Sequence, residues 1–328
     1  MAETFDPAYI QAASASAKRL MSNIRSIIVI EERRLETLIA ALVAGGHVIL
    51  ADTHGVGKTS LARALSESIE WEDFKVSSQG IVVEPFNRIQ CTVDLLPQDI
   101  LGFNRFELSG SDYIFNRGPI FSHFVLCDEI NLLTPKTQGS FFQVMEEQRV
   151  SIEGKTYEIP DPFFIIATMN LRGQHLFPLP APQLDRFMVE ISLGYPDGPS
   201  ELEILQRHER EDSWASYKPV VNAAELLAWQ KLVDGITINT SVQEYIVSLV
   251  RRTRSLPGIV TGASPRAGIK LSRLCRAVAL IRGLDFVTVD LVKEFAPAVL
   301  SHRLELQDPS ADRRAALDQA LREVRVPA

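Results

Sequence analysis

HVILADTHGVGKTSLARAL, residues 47–65, joins an apolar run to a helical pattern through a short glycine-containing loop. His47 to Ala51 reads as a buried strand, and from Thr59 onward the apolar residues return at helical spacing. The segment between them, Asp52-Thr53-His54-Gly55-Val56-Gly57-Lys58-Thr59-Ser60, has the parts of a phosphate-binding loop. Small residues let backbone N–H groups converge on phosphate oxygens, a lysine reaches the β/γ-phosphates, and a hydroxyl serves magnesium. Gly55, Gly57, Lys58 and Thr59 fill those roles, and the following helix turns its positive end toward the anion. Asp52 departs from the pattern, which begins with glycine. An acid facing the phosphates there would weaken binding.

Outward from this unit, Glu31 to Ala44 has a helical apolar face, Gly45-Gly46 ends it, and the Ala/Ser-rich leader before it reads as a loose helix. Further apolar runs at Arg88–Thr92, Phe124–Cys127, Phe163–Ala167 and Val189–Leu193 alternate with helical stretches. That alternation predicts a five-stranded parallel sheet covered on both faces. Beyond Tyr195-Pro196-Asp197-Gly198-Pro199 the patterns are amphipathic and helical. The expected organisation is a helical extension over 1–25, an α/β nucleotide-binding core over 26–197 and an all-helical lid over 198–328. Polar–apolar alternation around glycine predicts hairpins near 102–116 and 149–160.

Phe124-Val125-Leu126-Cys127-Asp128-Glu129 is an apolar strand ending in adjacent carboxylates. Asp128 is placed to hold magnesium beside Thr59, and Glu129 to orient and deprotonate an attacking water. Asn170 closes another strand and could hydrogen-bond that water or the γ-phosphate. Arg186, in QLDRF, could stabilise transition-state charge at a neighbouring subunit's γ-phosphate, or simply pair with Asp185 or Glu190. Arg266 follows Ser264-Pro265 at a helix start, from which it could reach the nucleotide. The reaction these residues predict is magnesium-dependent ATP hydrolysis.

The whole chain has 328 residues, a net charge of −7, 46% hydrophobic and 23% charged residues, so a large buried core is expected. The acidic balance disfavours a nucleic-acid partner. In the predicted hairpins Arg105, Arg117, Arg149 and Lys155 are offset by Glu107, Asp112, Glu153 and Glu158. Cys91, Cys127 and Cys275 have no metal-ligand spacing and read as buried thiols. No apolar run approaches the roughly 18 residues of a membrane span, and a cytoplasmic location is expected.

From about Ile27 to Leu306 the chain resembles the MoxR family of AAA+ ATPases. The stretches that carry the likeness are GVGKTSLARAL, RIQCTVDLLPQDILG, RGPIF, DEINLLTPKTQGSFFQVMEEQRVSIEGKTYEIPDPFFIIATMN, LPAPQLDRF, GASPRA and VLSHRL. The resemblance implies a P-loop AAA+ core with a small all-α lid, and places Lys58 and Thr59 on Walker A and Asp128 and Glu129 on Walker B. It also places Asn170 on sensor 1, Arg186 on the arginine finger and Arg266 on sensor 2. It implies ATP and Mg2+ as ligands, a homo-hexameric ring, chaperone-like remodelling of protein clients and a von Willebrand factor A domain partner. The alternative is a slow-hydrolysing, nucleotide-gated switch or scaffold module. Asp52 and the leucine at 132, where the family usually has arginine, motivate it.

Overall fold

The computed structural model describes residues 6–52, 55–76, 80–106, 113–169, 177–208, 214–308 and 310–327. The strands that build the core and its projections are β1 (Val48–Ala51), β2 (Glu84–Gln90), β3 (Gly102–Phe106), β4 (Tyr113–Arg117), β5 (Ser122–Asp128), β6 (Arg149–Ile152), β7 (Lys155–Glu158), β8 (Phe164–Met169) and β9 (Val189–Ile191). The helices are α1 (Pro7–Ile27), α2 (Glu32–Val43), α3 (Lys58–Glu67), α4 (Pro135–Glu147), α5 (Gly198–His208), α6 (Ala223–Gly235), α7 (Thr240–Thr253), α8 (Pro265–Arg282), α9 (Val289–Leu300) and α10 (Arg313–Glu323).

The five predicted core strands form one parallel sheet in the order β9-β1-β8-β5-β2. The three inner strands β1, β8 and β5 are buried on both faces, as a helix-covered parallel sheet requires. Strand alternation sends Val48, Leu50, Phe124, Leu126, Phe164 and Ile166 into one apolar cluster and Ile49, Val125, Cys127, Ile165 and Ala167 into the other. After β1 the chain crosses to the far edge, returns strand by strand to β8, then passes to the other side of β1. The loop after β1 therefore opens at the carboxyl edge of the sheet, between strands that approach it from both sides.

The antiparallel pairs β3–β4 and β6–β7 project from this core. The first presents Phe103, Phe106, Tyr113 and Ile114 to solvent. Beyond β9 the chain is mostly helical, with a short ribbon pairing Ile259–Thr261 with Glu305–Leu306, so the lid is not purely α. α8 is its axis. Ser264 caps it by accepting from the Ala267 N–H, Pro265 opens it, and Gly283 at φ +77° closes it.

The leading helix is not loose. Ile10, Ala13, Ala17, Leu20 and Ile24 are buried, and the small residues on this face let α1 approach the end of α8. There Ser14 Oγ donates to the Ile281 carbonyl at 2.7 Å and Gln11 Nε2 to that of Gly283 at 2.9 Å. The apolar face of α1 shares one cluster with α2, α8 and the sheet. Leu20→Ala is accordingly expected to lower the unfolding free energy by about 2–5 kcal/mol in urea denaturation. A loss well under 1 kcal/mol (the order of a surface change) would mean that α1 is detachable.

Candidate functional site

β1 delivers the phosphate loop. Gly55 and Gly57 both have φ of +82°, and a side chain added at either would meet nothing within 4 Å. Glycine is needed there for the left-handed backbone, while the space above stays open to an incoming group. α3 starts at Lys58 with no acidic residue in its first turn, so its positive end is not neutralised from within the helix. Lys58 Nζ donates to the Asp52 carbonyl at 2.9 Å. Thr53 and His54 lie outside the described residues.

Asp52 does not oppose phosphate. Its buried carboxylate turns to the chain after β9, where Oδ1 accepts from Ser192 Oγ at 2.7 Å and from the Gly194 N–H at 3.1 Å. Oδ2 accepts from the Leu193 N–H. Three donors absorb the charge and fasten the start of the loop to the segment leading into α5. The glycine of the standard pattern is replaced here by an acid with a structural task.

β5 carries Asp128 and Glu129 to the same edge. Asp128 Oδ1 accepts from Thr168 Oγ1 on β8 at 2.8 Å, and that hydroxyl accepts from the Glu129 N–H at 2.9 Å. Asp128 Oδ2 is taken by Arg88 on β2, through Nε at 3.0 Å and Nη2 at 2.6 Å. Gln90 orients that guanidinium by accepting from Nη2 at 2.8 Å. Glu129 stands at φ +60°, ψ +52°, left-handed for a residue with a Cβ. Such a conformation costs on the order of 1–3 kcal/mol and gathers where function requires it. Arg88 and Thr168 were not singled out from the sequence. The available signal was an arginine two residues from the end of a strand, on the face that also carries Gln90, whose register partner is Asp128.

Just before the carboxylates, Cys91 and Cys127 lie side by side on β2's continuation and β5, with sulfurs 3.1 Å apart. Both are free and buried, and burial first, then Cys91, pushes the Cys127 thiol well above the ordinary range. They are inert packing as expected of buried thiols.

The two arginines sit elsewhere. Arg186 donates through Nε to Glu146 Oε2 on α4 at 3.0 Å, and Arg266 Nη2 lies 3.3 Å from Oε1 of the same carboxylate. Arg186 also lies over the Phe142 ring, 5.7 Å from its centroid. Arg186 precedes β9, which runs parallel to β1 with Val189 opposite Val48, so it stands at the amino edge of the sheet. The phosphate loop leaves the carboxyl edge, roughly 10 Å away along β1. Neither Asp185 nor Glu190 is the partner of Arg186: Asp185 is engaged by Arg303 at 2.7 Å and Ser264 at 2.9 Å. The structure brings Lys58, Asp128 and Glu129 to one edge and Arg186 and Arg266 together at the other. Asn170 lies outside the described residues.

This geometry has close relatives. The model of the ATPase family associated with various cellular activities (AAA) matches residues 47–189, and that of the AAA lid domain matches residues 251–324. A solved structure of a candidate ATPase from Cytophaga hutchinsonii superposes with a TM-score of 0.87 at 29% identity, covering 98% of this chain and 97% of that one. The fold and the paired matches define an AAA+ ATPase, a P-loop core followed by a lid. Chaperone MoxR1 of Mycobacterium tuberculosis is 32% identical over 88% of this chain and 75% of its own. The uncharacterised protein YeaC of Bacillus subtilis is 39% identical over 82% and 80%. The chain belongs to the MoxR family of AAA+ ATPases.

The role of Asp52 is open to direct measurement. Asp52→Gly, which restores the usual first residue of the loop, leaves the Leu193 and Gly194 N–H groups without their acceptor. It is expected to lower stability by about 1–3 kcal/mol in urea denaturation and not to tighten binding of a fluorescent ATP analogue. Tighter binding at unchanged stability would show that the carboxylate opposes the phosphates after all.

Proposed function

We infer that the protein hydrolyses ATP at sites shared between neighbouring subunits of a homo-oligomeric ring, read as a hexamer. The observation that carries this is the separation of Arg186 and Arg266 from their own phosphate loop by the length of a strand, with both gathered on Glu146. An arginine at the amino edge serves a γ-phosphate only if another subunit presents one. In that arrangement Lys58 and the amides of 53–60 bind phosphate, Glu129 orients and deprotonates the attacking water, and Asn170 helps to hold it. Arg186 stabilises transition-state charge in trans, with Arg266 beside it.

Magnesium suits the residues at the carboxyl edge. Thr59 and Asp128 offer only hard oxygen donors, and phosphate oxygens and water would complete the shell. Among the described residues no group of three or more His, Cys, Asp or Glu could hold a metal without the nucleotide. When bound, the ion would neutralise charge on the β- and γ-phosphates. Arg88 is a second positive partner of Asp128, paired with its Oδ2.

The work done with this energy is read as chaperone-like remodelling of protein partners, a von Willebrand factor A domain protein among them. Support comes from the name of the mycobacterial relative and from the exposed apolar side chains of the β3–β4 pair, Phe106 with Tyr113 on one face and Phe103 with Ile114 on the other. The location is read as cytoplasmic; among the described residues no helix is long and apolar enough to cross a membrane. The second reading, a slow nucleotide-gated switch, draws on the same resting pairs. Arg88 covers Asp128 and Glu146 holds both arginines, and on that reading hydrolysis would require these pairs to rearrange.

Steady-state ATPase rate per subunit against protein concentration separates the two. A shared site predicts a specific rate that rises with concentration, is lost in Glu129→Gln with ATP binding retained, and falls about 10³- to 10⁵-fold in Arg186→Ala. A flat, near-background rate in all three proteins, with ATP bound, would favour the switch.

A further inference from the structure

Arg186 is held by its own lid. α8 meets the Asp185–Phe187 segment at three successive levels. At the capping end, Ser264 Oγ donates to Asp185 Oδ2 at 2.9 Å. Next, Arg266 shares the Glu146 carboxylate with Arg186. One turn on, Lys270 Nζ donates to three consecutive carbonyls, those of Asp185 at 2.6 Å, Arg186 at 2.6 Å and Phe187 at 3.2 Å. Residues 266 and 270 lie on one face of the helix, four apart, so side chain and backbone of Arg186 are addressed by the same surface. An ammonium has three protons to give, and all three are committed to this turn.

A second lid group closes the clamp. Arg303, just after α9 and 5% exposed, donates through Nε to Asp185 Oδ1 at 2.7 Å and through Nη1 to the Met188 carbonyl at 3.3 Å. Its Nη2 also reaches the Phe187 carbonyl. Phe187 itself is buried against Phe142 of α4, with ring centroids 5.8 Å apart. The segment that bears Arg186 is thus rooted in the core by one side chain and gripped from the lid by Ser264, Lys270 and Arg303. Burial first, and then the charge of Arg303, lowers the pKa of the Lys270 ammonium to about 7.

We propose that Lys270 is a positioning residue for the adjacent subunit's reaction: by fixing the backbone of Arg186 to α8, it makes the lid of one subunit set the reach of that subunit's arginine into the next site. This rests on the reading of Arg186 as acting in trans. Any nucleotide-dependent rotation of the lid then travels to the neighbour through hydrogen bonds within a single chain.

Mixed rings test it. Subunits carrying Arg186→Ala keep a hydrolytic site but donate no arginine, and subunits carrying Glu129→Gln donate an arginine but do not hydrolyse. Each is inactive alone and their mixture regains activity where the first kind abuts the second. Lys270→Met added to the donating Glu129→Gln subunit is expected to cut the regained rate by about ten- to a hundredfold, the scale of ångström-sized misplacement. The same change in the hydrolysing Arg186→Ala subunit is expected to leave that rate within about twofold, since that subunit has no arginine to place. Ser264→Gly, which removes the hydroxymethyl group that donates to Asp185 and leaves a residue well tolerated at a helix start, repeats the comparison if the lysine variant does not enter rings. Equal losses in both placements, or a loss confined to the hydrolysing subunit, overturn the proposal. A parent mixture that regains nothing overturns the shared site itself, a result distinct from either.

Discussion

The parallel register β1–β8–β5 is the constraint on which the site depends. Leu50 lies opposite Thr168, and Cys127 opposite Ala167, so strands starting in different parts of the sequence end at one height. Because their ends are level, the phosphate loop, Thr168 and the Asp128–Glu129 pair face the same crevice. Thr168 then links the two carboxylate residues with one hydroxyl, accepting from the Glu129 backbone while donating to Asp128. A shift of one residue in β8 would turn that hydroxyl into the opposite layer of the core, since strand side chains alternate. The depth of apolar burial on both sheet faces makes such a shift costly.

The same sheet explains why Arg186 and Lys58 stand apart within one chain. A parallel strand holds the residues at its start and those at its end on opposite edges of the sheet. Arg186 lies at the start of β9, and Lys58 lies past the end of β1. No side-chain rotamer reverses that order. The lid compounds the separation, since its axis α8 packs beside the amino-edge segment and carries Arg266 to Glu146. The separation of Arg186 and Arg266 from the phosphate loop results from strand direction and helix placement together.

Much of the architecture was legible in the sequence because it is written in periodicity. Five apolar runs with helices between them could hardly be anything but a covered parallel sheet, and GVGKT fixed which run was β1. The partners of individual charges were not legible. Asp52 reads as a defect in a glycine pattern until Leu193 and Gly194, some 140 residues away, offer their N–H groups. Arg186 had two plausible neighbours in sequence, and its partner Glu146 lies on a helix 40 positions earlier. The Ala/Ser-rich leader looked loose because small residues carry a weak hydrophobic signal, yet small residues are what close helix contact needs. Ser264 and Pro265 placed Arg266 at a helix start, but its pairing with Glu146 was not legible because sequence does not give the direction in which a helix lies.

The short bond from Lys58 to the Asp52 carbonyl bears on how the loop meets its ligand. An ammonium without a partner near a helix start would be repelled by the local positive potential and would sample many rotamers. Here the loop's own backbone holds the lysine folded against the turn. Binding of a phosphate would let Lys58 exchange this neutral carbonyl for a charged oxygen, and a charge-assisted hydrogen bond is roughly twice as strong as a neutral one. Weakly charged ligands gain little from that exchange, so the cradle discriminates by charge before any contact with a base or sugar is made.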